Sequence, residues 1–144
     1  MHVGSRGVLH CYASDSIDGT DDNRFGKMGK QRCAATGPLT QECMKLFDQA
    51  EVPPKVEAFM KKAKDANKPF FVWLNTSRMH LYTRLNDTWR YAAEKYTSEA
   101  DIHGSGMLQH DHDIGLILEF LMDQGLDDNT IIWYSTDNGP EHDS

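Results

Sequence analysis

The chain has 144 residues, a formal net charge of −7 and a hydrophobic fraction of 39%. This length and composition fit one domain with a packed core and argue against a disordered segment. The negative charge argues against sequence-independent binding to nucleic acid or an anionic membrane, and every apolar run is shorter than the ~20 residues that a membrane-spanning helix needs.

Residues 1–42 contain much Gly, Asp and Thr with little periodicity, which predicts a loop-rich insertion with one short strand near residues 7–12. The first seven residues have no apolar stretch of the signal-peptide type. Residues 26–30 superficially resemble a phosphate-binding loop, but Arg24 stands where its first glycine belongs and Gln31 where Ser or Thr belongs. We therefore predict no nucleotide site. For the rest of the chain, residues 43–144, we expect a piece of an α/β core.

The three cysteines, Cys11, Cys33 and Cys43, are an odd number and form no C-x-x-C pair. This pattern does not indicate a disulfide framework. We expect all three to be buried or idle thiols.

Two helices are predicted next. Thr40 is a plausible cap for the first, which breaks at the two prolines that follow residue 52, and the second runs to about residue 66. Apolar residues in the second helix follow the i, i+3, i+4, i+7 spacing of a stripe that faces the core. The stripe consists of Val56, Phe59, Met60 and Ala63.

The second half of the chain predicts a strand, a helix and another strand. Residues 69–74 are continuously apolar, as in a strand buried on both faces of a parallel sheet. Residues 81–104 form a long polar and aromatic connection, and a helix then runs from about residue 107 to 124, with Gly125 as its C-cap. The residues expected to be buried in this helix are Met107, Ile114, Ile117, Leu118 and Leu121.

The last predicted strand, residues 130–136, leads into Asp137-Asn138-Gly139. A strand–helix–strand crossover is right-handed with parallel strands, so the ends of both strands meet at one sheet edge. Arg78 and His80 would then lie at the same edge as Asp137 and Asn138. A carboxylate beside a carboxamide offers hard oxygen ligands for Ca²⁺ or Mg²⁺. The alternative is an ordinary Asn-Gly turn after a buried strand.

Residues 110–113, His-Asp-His-Asp, suggest a zinc site, but two helical residues that are two positions apart point in nearly opposite directions. His110 falls on the apolar stripe and is predicted to be a hydrogen-bonded core histidine, whereas His112 and Asp113 are predicted on the surface. Residues 75–77 and 86–88 match the glycosylation triplet, which we interpret as chance.

Three stretches together resemble the formylglycine-dependent sulfatases (arylsulfatases) of the alkaline phosphatase superfamily. These are residues 70–80, the Gly-Met helix with its His-Asp pairs, and residues 128–139, which read Asp-Asn-Thr-Ile-Ile-Trp-Tyr-Ser-Thr-Asp-Asn-Gly. Residues 4–9 and 36–40 also resemble the substrate-side insertion of some members. The resemblance covers nearly the whole chain and implies an internal piece of the α/β catalytic domain of that family.

By this resemblance, Asp137 and Asn138 match two ligands of the single Ca²⁺ or Mg²⁺ of the family. His80 matches the histidine that contacts the sulfate ester, which makes it both a catalytic and a substrate-binding candidate. Arg78 is a further substrate-binding candidate, because it could add positive charge nearby. The implied substrate is a small-molecule or glycan sulfate ester.

The nucleophile of the family is a cysteine in a Cys-x-Pro/Ala-Ser-Arg motif, which is converted to formylglycine. This chain has no such motif, since residues 11–15 read Cys-Tyr-Ala-Ser-Asp, with Asp15 in place of the arginine. The other acidic metal ligands and the lysines of the family pattern are also missing. We therefore expect an internal fragment that is inactive alone and needs the remainder of a sulfatase domain.

Two other functions stay open on the sequence. One is a phosphoesterase of the same superfamily, and the other is a noncatalytic remnant that keeps the fold for binding. The resemblance does not fix the compartment, although family members are often periplasmic, secreted or lysosomal.

Overall fold

The computed structural model of the chain describes residues 9–22, 26–35, 40–46, 52–78, 80, 83–96 and 101–139. They belong to two compact units, Met1–Cys43 and Met44–Ser144, which are described separately. The first residues of the predicted strand at 7–12 lie outside the described residues, as does Met79, between the two substrate-binding candidates.

The first unit contains an antiparallel hairpin. Strand β1 spans Leu9–Asp22 and strand β2 spans Gly26–Ala35, and they are the two strands of one sheet. The register shifts twice along β1, between Ala13 and Ile17 and between Asp18 and Asp21, where β1 contains more residues than its partner. Such bulges bend a strand and raise its local twist.

The prediction that residues 1–42 are mostly loop is therefore wrong for the hairpin. Most of its described side chains are exposed, including Tyr12 and Ile17. Among the hairpin residues whose burial is described, none is fully buried, so these positions do not require an alternation of apolar and polar residues. Period-two alternation is the signal by which a half-buried strand is identified.

A disulfide joins the two strands of the hairpin. Cys11 and Cys33 lie opposite each other in the register and are bonded, whereas Cys43 is free and exposed. The expectation of three idle thiols is wrong for the first two. Their sequence separation of 22 residues gives no hint of the bond, because it depends on the register of a hairpin that the sequence did not reveal.

The first helix, α1, spans Gln41–Leu46, and the second, α2, spans Val52–Asp65. The Thr40 hydroxyl accepts a hydrogen bond from the Cys43 backbone N–H at 3.2 Å, which confirms Thr40 as the cap of α1. In α2, Met60 is buried as predicted, but Phe59 is 51% exposed. The two prolines lie in the first turn of α2, where a missing N–H leaves no intrahelical bond unmade.

The longest helix, α3, spans Ile102–Asp123 and begins five residues before its predicted start. The Asp101 carboxylate caps it by accepting a hydrogen bond from the Gly104 N–H at 2.7 Å. At the other end, Gly125 has a φ of 60°, as the predicted C-cap requires. The backbone N–H groups of Gly125 and Leu126 donate to the carbonyls of Met122 and Leu121, so α3 ends in a Schellman motif.

The buried face of α3 is polar rather than apolar. Of the five residues predicted to be buried, Leu121 is buried, but Met107 and Leu118 are 44% and 37% exposed. The residues that are buried instead include Ser105, Gln109 and Asp113, which follow one another at intervals of four. Among the described residues, no helix is both long enough and apolar enough to cross a membrane.

The two segments predicted as parallel strands are not hydrogen-bonded as strands. Residues 69–76 and 130–136 have no strand assignment, and β1 and β2 form the sheet that the described residues contain. In the first segment, Phe71 and Trp73 are 82% and 80% exposed, while Phe70, Val72 and Leu74 are half-buried. This alternation is that of a strand with one face uncovered. The parallel strand–helix–strand unit stays a prediction.

Candidate functional site

His80 follows a turn whose backbone is held on both sides. Its N–H donates to the Ser77 carbonyl at 3.4 Å, and the Thr83 hydroxyl donates to the His80 carbonyl at 2.6 Å. The side chain of His80 is exposed. The exposed side chain of His80 thus belongs to a residue whose backbone N–H and C=O are both hydrogen-bonded.

Arg78, two residues earlier in the same turn, points into the protein. It is 8% exposed, and its Nε and Nη2 atoms donate to Oε1 of Gln109 at 3.3 and 3.0 Å. Its Nη1 atom donates to the Ser77 hydroxyl at 3.0 Å. The guanidinium is therefore anchored on α3, and its charge lies beneath the turn that presents His80.

Gln109 continues this network along α3. Its side-chain amide donates from Nε2 to Oδ2 of Asp113 at 3.3 Å. Gln109 is completely buried, and Asp113 is 4% exposed. A buried guanidinium and a buried carboxylate are thus joined through one neutral amide, which accepts from the first and donates to the second.

The sequence placed Asp113 on the surface, and this prediction is wrong. Helical periodicity of apolar residues locates an apolar core, whereas the partner of this face of α3 is an arginine. The polar residues at positions 105, 109 and 113 do repeat at helical spacing. That repeat was the available signal, and it would have identified Gln109 as well.

Ser105 joins the same face of α3 to the connection before it. Its hydroxyl accepts a hydrogen bond from the Ala93 N–H at 3.0 Å, within the 3₁₀ turn Ala92–Lys95. Gly104 allows this close approach, because an added Cβ would lie 3.3 Å from the Ala93 Cβ and against the Asp101 carboxylate. Part of the long connection predicted at 81–104 is therefore fixed to α3, and its last three residues belong to the helix.

His110 links α3 to both predicted strand segments. Its Nδ1 atom lies 3.3 Å from the Thr76 hydroxyl, and its Nε2 atom lies 3.0 Å from the Tyr134 hydroxyl. The Thr76 hydroxyl already donates to the Arg78 carbonyl at 3.2 Å. Its oxygen therefore accepts from His110 Nδ1–H, which leaves Nε2 to accept from Tyr134 in the neutral tautomer. The predicted hydrogen bonding of His110 is confirmed, but the residue is half-buried rather than in the core.

The other histidine of the cluster, His112, is exposed, as predicted, and its ring centroid lies 5.1 Å from that of Trp89. His110 and His112 thus contact different partners. Within the part of the chain that the structure describes, no group of three or more His, Cys, Asp or Glu residues is arranged to hold a metal ion.

Asp137 and Asn138 form a bend after residues 130–136, and both side chains are exposed. Gly139 follows with a φ of 77°, a left-handed conformation that favours glycine. The bend presents two adjacent oxygen donors to solvent. These donors suit Ca²⁺ or Mg²⁺ in kind, but Ca²⁺ takes 6–8 oxygen ligands, so two side chains supply only part of a site.

The structure relates the two halves of the predicted site through α3. Arg78 is bonded to Gln109, and Tyr134, three residues before Asp137, is bonded to His110 on the next position of the helix. One turn of α3 therefore contacts both segments from which the site residues emerge.

Comparison with protein families gives one finding about the chain as a whole. A family model described as Sulfatase matches residues 14–144, which is most of the chain and includes every candidate residue described above. Comparisons with curated proteins and with solved structures find no match.

Proposed function

The chain belongs to the sulfatase family, and we propose that it forms part of an enzyme whose divalent metal is partly held here and whose formylglycine lies outside these residues. Sulfatases act on sulfate esters, and the family has the alkaline-phosphatase-like α/β fold. The family thus implies the predicted alkaline-phosphatase-like α/β fold, and the parallel strand–helix–strand unit stays a prediction. The roles of individual residues below are proposals.

The observation that best supports the proposal is the exposed side chain of His80, whose backbone is hydrogen-bonded to Ser77 and Thr83. Cleavage of a sulfate monoester moves negative charge onto the bridging oxygen, so a donor near that oxygen lowers the barrier. His80 is the residue proposed to donate there. A proton held at its ring nitrogen would pass to the leaving oxygen as the bond to sulfur breaks.

Arg78 is proposed to assist from beneath the turn. Its guanidinium is bonded to Gln109 and Ser77, so it would act on the anionic substrate through its charge rather than as the first contact. A cation in a buried setting is screened less than one on the surface. This modifies the role suggested by the sequence, in which Arg78 bound the substrate at the sheet edge.

Asp137 and Asn138 are proposed to hold the metal together with ligands from other parts of the protein. Their oxygens are adjacent and accessible at the bend, and their chemistry fits Ca²⁺ or Mg²⁺. When bound, the ion supplies positive charge to the sulfuryl oxygens of the substrate.

The nucleophile is proposed to lie outside these residues. Cys11 stands in the segment closest to the family motif, but its sulfur is bonded to Cys33 and cannot attack an ester. The sequence contains no Cys-x-Pro/Ala-Ser-Arg segment. The 144-residue chain is therefore proposed to act within a longer sulfatase, on a small-molecule or glycan sulfate ester.

The test compares hydrolysis of 4-nitrophenyl sulfate and 4-nitrophenyl phosphate by the complete protein, loaded with Ca²⁺. We expect the sulfate ester to be hydrolysed with the higher kcat/KM. A higher value for the phosphate ester would favour the related phosphoesterase. Hydrolysis of neither ester by the folded, metal-loaded protein would favour the noncatalytic binding remnant.

A further inference from the structure

We propose that Gln109 and Asp113 are positioning residues for catalysis, which act through Arg78 on the turn that presents His80. This inference rests on the proposed function, in which His80 contacts the sulfate ester. It follows from three consecutive links, the first through main-chain and side-chain groups and the other two through side chains, each described by hydrogen bonds of the structure.

The first link joins Arg78 to the position of His80. The turn is closed by the hydrogen bond from His80 N–H to Ser77 C=O, with Arg78 inside it. The Arg78 carbonyl accepts from the Thr76 hydroxyl at 3.2 Å, and the Arg78 guanidinium donates to the Ser77 hydroxyl. Because both its main chain and its side chain are fixed, a shift of the guanidinium would move the turn.

The second link joins Arg78 to Gln109. A carboxamide oxygen has two lone pairs, and Oε1 of Gln109 accepts from both Nε and Nη2 of the guanidinium. Gln109 has no exposed surface, so water cannot replace this acceptor. Gln109 of α3 therefore holds the edge of the guanidinium that carries Nε and Nη2.

The third link, from Gln109 to Asp113, decides which way the amide faces. Oδ2 of Asp113 accepts from Nε2 of Gln109, so the amide oxygen is directed to Arg78. A reversed amide would place its NH₂ group against the guanidinium, where neither group can accept a hydrogen bond. Asp113, one turn further along α3, thus selects the orientation that anchors Arg78.

Stability alone does not account for this network. Well-packed apolar side chains of similar volume often stabilise a protein as much as a buried ion pair does, or more. A hydrogen-bonded polar network instead favours one geometry, here with the Gln109 amide oxygen directed to Arg78 and its NH₂ group directed to Asp113. A single geometry is needed at this turn if the exposed imidazole of His80 is to lie close to a reacting atom.

The experiment measures kcat and KM of the complete, metal-loaded protein for aryl sulfates whose leaving phenols differ in pKa. We expect Gln109→Leu to lower kcat on the order of tenfold to a hundredfold, with KM little changed, because small misplacements of catalytic groups cost that much. The loss should grow as the leaving phenol becomes a poorer leaving group, as it should for His80→Ala. Gln124→Leu, at the end of α3, is the matched control and should leave kcat unchanged.

A double-mutant comparison separates positioning from general damage. In the His80→Ala background, Gln109→Leu should have no further effect on kcat, because the group that it positions is gone. An equal loss for every leaving phenol, or a loss that adds to that of His80→Ala, would overturn the inference. An unaltered kcat in His80→Ala would contradict the proposed role of His80 itself, and the inference would fall with it.

A second test exchanges the amide of Gln109 and the carboxylate of Asp113. It is informative even if the Gln109→Leu variant does not fold. The single variant Gln109→Glu should lower kcat, because two carboxylates then face each other. Adding Asp113→Asn should restore kcat. The new carboxylate at position 109 then accepts from Arg78, and the new amide at position 113 donates to that carboxylate. If the pair is as impaired as the single variant, the inference is wrong.

Discussion

At the scale of single residues, Asp137 and Asn138 decide whether the bend after residues 130–136 is a metal site or only a turn. We expect Asp137→Ala to weaken Ca²⁺ binding by the complete protein about tenfold or more, because it removes a ligand and its charge. Asn138→Ala should weaken it less, since the carboxamide is neutral. Isothermal titration with Ca²⁺ measures both affinities.

The matched control for these variants is Asp127→Ala, which removes an exposed carboxylate from the neighbouring 3₁₀ turn Asp127–Asn129. It should bind Ca²⁺ as tightly as the parent protein. If Asp137→Ala also binds with the parent affinity, the bend is a turn and contributes no ligand.

The sequence predicted the hydrogen bonding of His110 correctly, but not the burial of Asp113. His110 was predicted as a hydrogen-bonded core histidine because it lies on the apolar stripe, and it bonds Thr76 and Tyr134. Asp113 was placed on the surface, since an isolated carboxylate is almost never fully buried. Asp113 is linked through Gln109 to Arg78, 35 positions earlier, and the periodicity of apolar residues does not indicate this link.

At the scale of elements, the hairpin depends on its disulfide. The bond closes a loop of about twenty residues. Closing a loop of that size lowers the entropy of the unfolded chain and so raises its free energy by about 3 kcal/mol. We expect the double variant Cys11→Ala, Cys33→Ala to lower the free energy of opening of β1 and β2 by about that amount. Amide hydrogen exchange of the two strands measures it directly, because exchange reports local opening.

Cys43→Ala is the control, because Cys43 is free and exposed. It should leave exchange in the hairpin unchanged. Equal protection in the double variant and in this control would show that the pairing of the strands, and not the bond, stabilises the hairpin.

The elements that the sequence predicted well are those with local signals. Thr40 caps α1 through the Cys43 N–H, and Gly125 ends α3 in a left-handed conformation, and both residue types are recognisable from the chain itself. The start of α3 was missed because Gly104 and Gly106 resemble a linker. Asp101, the actual cap, was read as part of the preceding connection.

At the scale of the whole molecule, the most exposed apolar side chains belong to the two predicted strand segments. Ile131 and Trp133 are 95% and 88% exposed, and Phe71 and Trp73 are exposed to a similar degree. Exposed apolar surface with unpaired strand edges favours association between chains. These segments were predicted from continuous apolar runs, but a strand of a parallel sheet forms only when neighbouring strands accept its backbone hydrogen bonds.

We therefore expect the isolated 144-residue chain to associate as its concentration rises. Sedimentation velocity over a range of concentrations measures this directly. A monomer at all concentrations, with one cooperative melting transition, would contradict the fragment proposal and favour a self-contained binding module.

The most direct test of the account is the effect of His80→Ala on hydrolysis of phenyl sulfate, a poor leaving group, by the complete, metal-loaded protein. His103→Ala, an exposed histidine in the first turn of α3, is the matched control. We predict a loss in kcat of about 10²–10⁴-fold for His80→Ala, the usual contribution of a general acid, and no loss for the control. A His80→Ala variant that hydrolyses phenyl sulfate as fast as the control would contradict the assignment of His80 and the site built around it.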